Sequence, residues 1–163
     1  MTDLTEIAQA LGKAAQGKGV RITTAESCTG GLVAATITSV AGSSAWFDRA
    51  FVTYCNEAKI DMLGVEASVI EAKGVVSEEV ARAMAQGALK NSNATLAVAI
   101  TGIAGPTGAE PGKPVGTVSF GFAFKVNDTV CAESSTQHFE GDRNTVRFEA
   151  TKFALVTLLA ILS

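Results

Sequence analysis

Apolar and polar positions along this chain follow two periods, and the period changes wherever glycine, serine or asparagine interrupts it. Leu4, Ile7, Ala8 and Leu11 recur at helical spacing until Gly17 and Gly19, which predicts a helix from Leu4 to about Gln16. "VRITTA" (20–25) is short and β-branched, the composition of a strand. "GLVAATITSV" then reads as a helix despite its β-branched members and stops at "AGSS" (41–44). "RAFVTYC" (49–55) predicts a second strand, and "NEAKIDMLG" and "EASVIEAKG" two short helices, the first stopped by Gly64. Ser77 begins a longer helix to about Lys90, its hydroxyl capping free amides while Glu78 and Glu79 suit the positive end. "ATLAVAIT" (94–101) is almost wholly apolar, the pattern of a central strand covered on both faces. After the loop "GIAGPTGAEPGKP" (102–114), "VGTVSFGFAFKV" and "TVCAESSTQHF" form a hairpin around Asn127-Asp128. Asp142 can cap a last helix running to about Leu162.

Strands alternating with helices, then a hairpin and a closing helix, predict an α/β fold: a three-layer α/β/α sandwich on a mixed, mostly parallel five-stranded sheet, as one domain over residues 1–163. The 163 residues are 47% apolar and 18% charged, the balance of a packed globule rather than a disordered segment. A net charge of -3 with no Lys/Arg-rich block argues against a nucleic-acid partner, although one arginine or helix N-terminus can hold a single phosphate. "MTDLTEIAQALGK" has early acids and no apolar core, so it does not read as a secretory signal. "FALVTLLAIL" (153–162) has about half the length a membrane span needs. It reads as a buried helix with a face that could also serve a subunit interface, and no membrane association is expected. Cys28, Cys55 and Cys131 are odd in number and contain no CxxC pair, which suits a reduced, cytoplasmic protein without a disulfide framework or structural zinc. No His/Cys/Asp/Glu cluster has metal-site spacing, and no GxGxxG or Walker A pattern occurs, so no metal or cofactor is expected.

Candidate chemistry concentrates at three junctions between a strand and the segment after it, the edge where open α/β sheets bind ligands. In "TTAESCTGGLVAA" (23–35), Ser27, Cys28 and Thr29 precede Gly30 and Gly31. The glycines permit close approach of a ligand, and the first amides of the helix could receive an oxyanion or a phosphate. A helix cap by Ser27 or Thr29 is the plainer alternative. The single histidine, His138, lies near the end of a hairpin strand and reads as a half-exposed strand residue, leaving lysine, tyrosine or a carboxylate to activate a hydroxyl. "TYCNEAK" (53–59) offers Tyr54 and Lys59; a buried lysine there would favour its neutral form, whereas spacing alone favours a strand-end tyrosine and a solvated lysine. "AITGIAGPTG" (99–108) brings Thr101 and three glycines to the sheet edge, as a binding loop or as a connection. In "FEGDRNTVR" (139–147), Arg143 opposes the helix dipole and so suits an anion, while Arg147 reads as a surface charge.

Taken in order, "TAESCTGG", "TYCNEAK", "GVVSEEVARAMAQGA", "AITGIAGPTG" with "GKPVGTV", and "GDR" resemble the CinA C-terminal domain family over nearly the whole chain. The resemblance implies a metal-free serine amidohydrolase that deamidates nicotinamide mononucleotide to nicotinate mononucleotide and ammonia. By the same resemblance Ser27 would be the nucleophile and Tyr54 and Lys59 its activating partners. The turn Cys28, Thr29, Gly30 and Gly31 and the loop residues Thr101, Gly102, Ala104 and Gly105 would hold the substrate, with Arg143 at its phosphate. Amides from Cys28 to Gly31 would receive the developing oxyanion. Two other functions compete: a non-catalytic nucleotide-binding or regulatory module, and a serine amidase or esterase for an unrelated small substrate.

Overall fold

The computed structural model describes residues 2–163. The elements run α1 (Thr2–Gly17), β1 (Ile22–Glu26), α2 (Leu32–Thr38), a 3₁₀ turn (Ser43–Ala45), β2 (Phe47–Val52), α3 (Asn56–Leu63), α4 (Ala67–Lys73), α5 (Glu78–Lys90), β3 (Leu96–Gly102), β4 (Thr117–Val126), β5 (Thr129–His138) and α6 (Arg143–Leu162). The sheet order is β2-β1-β3-β4-β5; β1 runs parallel to both neighbours, and β4 and β5 are antiparallel additions. From β1 the chain steps outward to β2, then returns across β1 to β3. Right-handed crossovers in opposite directions must lie on opposite faces of the sheet. Accordingly α2 packs with α1 and α6 on one face, and α3 and α4 pack with α5 on the other. None of the described helices is long and apolar enough to cross a membrane.

Strand β3 shows how side-chain size divides the two layers. Leu96, Val98 and Ile100 point into the core shared with α1 and α6, while Ala97 and Ala99 face α5. On β4 the partner of Ala99 is Gly121 and that of Ala97 is Ala123. This strip of small residues lets α5 lie very close: a Cβ built on Gly121 would stand 2.2 Å from the Ala81 carbonyl oxygen.

The expected helix starts are present. Ser77 Oγ accepts from the Val80 amide (3.2 Å) and Asp142 Oδ1 from the Thr145 amide (2.8 Å). Asn127 (φ 50°) and Asp128 (φ 68°) both take the left-handed conformation that a two-residue hairpin turn needs. The second strand differs from its expected span of 49–55, running from Phe47 to Val52. Of its predicted last residues, Thr53 keeps one amide bond to Glu26 O, while the carbonyls of Thr53 and Tyr54 accept from Lys59.

Candidate active site

Residues just beyond the carboxyl ends of β1, β2 and β3 converge on one cleft. The Ser27 amide donates to Ile100 O (3.0 Å) and the Thr53 amide to Glu26 O (2.8 Å), so sheet pairing continues one residue past β1 and β2. The pleat therefore still governs where Ser27 points. Ala25 packs on the α5 layer, and Ser27, two residues on, faces the same side, toward α3.

Lys59 comes from α3 and is 1% exposed. Its Nζ donates to Ser27 Oγ (2.9 Å), Thr53 O (2.8 Å) and Tyr54 O (3.1 Å). Ser27 Oγ lies 3.3 Å from Tyr54 O as well. Among the described residues no carboxylate comes within ion-pair distance of this lysine. Burial holds its pKa below the ordinary 10.5, with the nearby thiols of Cys55 and Cys28 opposing that shift. The same burial pushes the Cys28 thiol up to about 11, so at neutral pH it remains protonated and a poor nucleophile. His138, at the end of β5, pairs its Nε2 with Val115 O (2.9 Å) rather than with Ser27.

The cleft encloses about 380 Å³. Ser27, Cys28, Tyr54 and Lys59 line one side; Thr101, Gly102, Ala104 and Gly105 line another, and Arg143 stands at the margin. Tyr54 enters the site in two ways. Its main-chain oxygen meets Lys59 and Ser27, while its exposed phenol accepts from Arg143 Nη2 (3.1 Å). Arg143 also donates from Nη1 to Gly105 O (2.7 Å), and so ties α6 to the 102–114 loop. The Thr101 hydroxyl donates to Val75 O (2.9 Å), fixing the α4–α5 connection whose Val75 and Val76 form a further wall.

Thr29, Gly30 and Gly31 do not line this cleft, in contrast to the sequence expectation. The Gly30 amide donates to Ser27 O and the Gly31 amide to Glu26 Oε1, so neither is free for an oxyanion; the amides of Cys28 and Thr29 are not spent in this way. Neither Ser27 nor Thr29 caps α2. Its N-cap is Gly31 at φ 103°, with the carboxylate of Glu26 supplying the acceptor. Arg147, expected on the surface, donates through Nε to Cys28 O (3.0 Å) and through Nη2 to Thr29 O (3.2 Å). Sequence reasoning missed Glu26, Arg147 and the Val75–Val76 wall. For the first, the only signal available was a charged residue at the end of an otherwise buried strand.

Residues 4–162 match the CinA C-terminal domain family. A nicotinamide-nucleotide amidohydrolase, PncC, of Escherichia coli K12 is 52% identical over 162 residues, covering 97% of this chain and 95% of its own. The protein of the same name from Enterobacter agglomerans is 52% identical over 156 residues, covering 96% and 93%. The crystal structure of competence/damage inducible protein CihA from Agrobacterium tumefaciens superposes with a TM-score of 0.91 at 42% identity, covering 99% of this chain and 96% of that one.

Proposed function

The chain belongs to the CinA C-terminal domain family, and on that premise we propose that it hydrolyses the carboxamide of nicotinamide mononucleotide, releasing ammonia and nicotinate mononucleotide. The names of its near full-length relatives support that substrate. The observation that carries the chemistry is the 2.9 Å contact of a fully buried lysine with Ser27 in a cleft margined by Arg143.

Two of the three positions around Nζ already face carbonyl oxygens. A neutral amine keeps two N–H bonds for those carbonyls and turns its lone pair toward Ser27 Oγ. In this arrangement Lys59 takes the Ser27 proton as the hydroxyl attacks the carboxamide carbon, and the amide of Cys28, which lines the cleft, receives the negative oxygen. The ammonium of Lys59 then protonates the departing nitrogen as the C–N bond breaks, and ammonia leaves an acyl-serine. Water, deprotonated by the same amine, cleaves that ester to the carboxylate and restores the hydroxyl. Tyr54 contributes its carbonyl to the lysine and its phenol to Arg143; on this reading the remaining donors of Arg143 bind the substrate phosphate. The pyridinium charge of the substrate makes the carboxamide more electrophilic and disfavours a protonated Lys59.

Ammonia release from the mononucleotide, its riboside and free nicotinamide tests this reading. The mononucleotide should be the best of the three; Ser27→Ala should lose at least ~1,000-fold in kcat, and Cys28→Ala should stay within about threefold. Tight binding of the mononucleotide without ammonia release would instead mark a binding module, and loss of activity in Cys28→Ala alone would move the nucleophile to the cysteine.

A further inference from the structure

Helix α2 is capped from behind. Glu26, the last residue of β1, is 0% exposed, and its carboxylate reaches under the turn that follows. Oε1 accepts from Thr29 Oγ1 (2.7 Å), Gly31 N (3.1 Å) and Val33 N (3.0 Å); Oε2 accepts from Ala34 N (3.0 Å), with the Thr24 hydroxyl at 3.5 Å. The amides of Gly31, Val33 and Ala34 can only donate, so both oxygens of the Glu26 side chain are held as acceptors. Among the described residues no cation pairs with it. An interior carboxylate without a counter-ion is tolerable only when such donors replace its water, and here the close ones all come from residues 29–34.

The geometry follows from the strand pleat. Glu26 and Ser27 are consecutive, so one side chain points to the α2 layer and the next to the α3 layer. The carboxylate grips the segment after Ser27 on one face while the hydroxyl meets Lys59 on the other. Moving the turn breaks several charge-assisted hydrogen bonds at once. The same bonds take up the first amides of α2, so that helix end offers little to a substrate anion and leaves phosphate recognition to the Arg143 side.

We propose that Glu26 is a positioning residue: by anchoring residues 29–34 it fixes Ser27 Oγ at hydrogen-bond distance from Lys59. This rests on Ser27 being the nucleophile of the proposed reaction. It also gives Thr29 a different part from substrate binding, as one of the donors that hold Glu26 in place.

Glu26→Gln keeps the shape and one acceptor oxygen but sets an NH₂ group against the Ala34 amide. Its kcat for ammonia release should fall by about 100-fold with KM within about threefold, because displacing a catalytic group by an ångström has that order of effect. Thr29→Val, which removes a single donor, should lower kcat about fivefold, again without raising KM. Sulfonylation of Ser27 by phenylmethanesulfonyl fluoride, followed by intact mass, should slow by the same factor as kcat in each variant. A folded Glu26→Gln protein with parental kcat and labelling rate would overturn the proposal, as would a Thr29→Val protein whose KM rises while kcat holds. Circular dichroism reports whether Glu26→Gln folds; if it does not, Thr29→Val decides. If the parent releases no ammonia, the proposed reaction fails, and the labelling ratios still decide the role of Glu26.

Discussion

Protonating Lys59 in the folded chain places an ammonium between two carbonyls and a hydroxyl, with no carboxylate among the described residues at ion-pair distance. Burial strips that ammonium of water and holds its folded pKa below 10.5, whereas in the unfolded chain it returns to that value. Between those two values the unfolded state holds a proton that the folded state does not, so stability rises with pH across the window. Above 10.5 the penalty is gone; below the folded pKa it is present in full and constant. Lys59→Met deletes the group from both states. The melting temperature of the parent, minus that of the variant, should thus climb as pH approaches 10.5, and a pH-independent difference would contradict it. The parent's kcat/KM should rise along the same limb and level off below 10.5, since the base must be neutral. At this scale the sequence exposes Ser27 and Lys59, because both sit in short motifs next to a strand end. Glu26 and Arg147 stay hidden, because their partners lie 3 to 8 and 118 to 119 residues away and depend on turns that only the fold defines.

Helix α6 presents two arginines one turn apart, and they serve different neighbours. Arg143 reaches the cleft margin through Gly105 and Tyr54, whereas Arg147 holds the Cys28 and Thr29 carbonyls from outside the turn. Arg143→Ala should raise KM for the mononucleotide by roughly 10- to 100-fold, the value of a lost charge-assisted contact, and leave the riboside nearly unaffected. Arg147→Ala should reverse the pattern, lowering stability by about 1–2 kcal/mol and reducing kcat with little change in KM. Steady-state kinetics on both compounds, with thermal melts, separates the two. The capped and turned ends of elements are readable in the sequence for a local reason. Ser77, Asp142 and the Asn127-Asp128 pair act on amides and dihedrals within a few residues of themselves. The end of β2 is not local. There the carbonyls of Thr53 and Tyr54 meet Lys59 of α3, a partner that alternation does not reveal, and alternation alone runs the strand on to Cys55.

Across the whole molecule, the distance between Lys59 and Ser27 is set by how α3 is seated, since Ser27 belongs to the sheet and Lys59 to a helix lying on it. Seating is tight at the end of α3. A Cβ on Gly87 of α5 would come within 1.9 Å of the Leu63 carbonyl oxygen, a backbone atom that cannot rotate aside. Gly12 of α1 is also confined, on the opposite face, where its Cβ would meet the Trp46 ring at 2.7 Å. Alanine favours a helix over glycine by about 0.5–1 kcal/mol, but overpacking of this kind costs about 1–3 kcal/mol, so both substitutions should lower the melting temperature. Their effects on catalysis should differ. In Gly87→Ala the clash pushes α3 outward, stretches the 2.9 Å contact of Lys59 with Ser27, and reduces kcat about tenfold or more. In Gly12→Ala the strain falls on α1 and Trp46, which touch neither group, and kcat at a temperature well below the melt should remain parental. Equal loss of kcat in the two variants would mean that activity follows overall stability, and that the seating of α3 is not what holds the lysine on the serine.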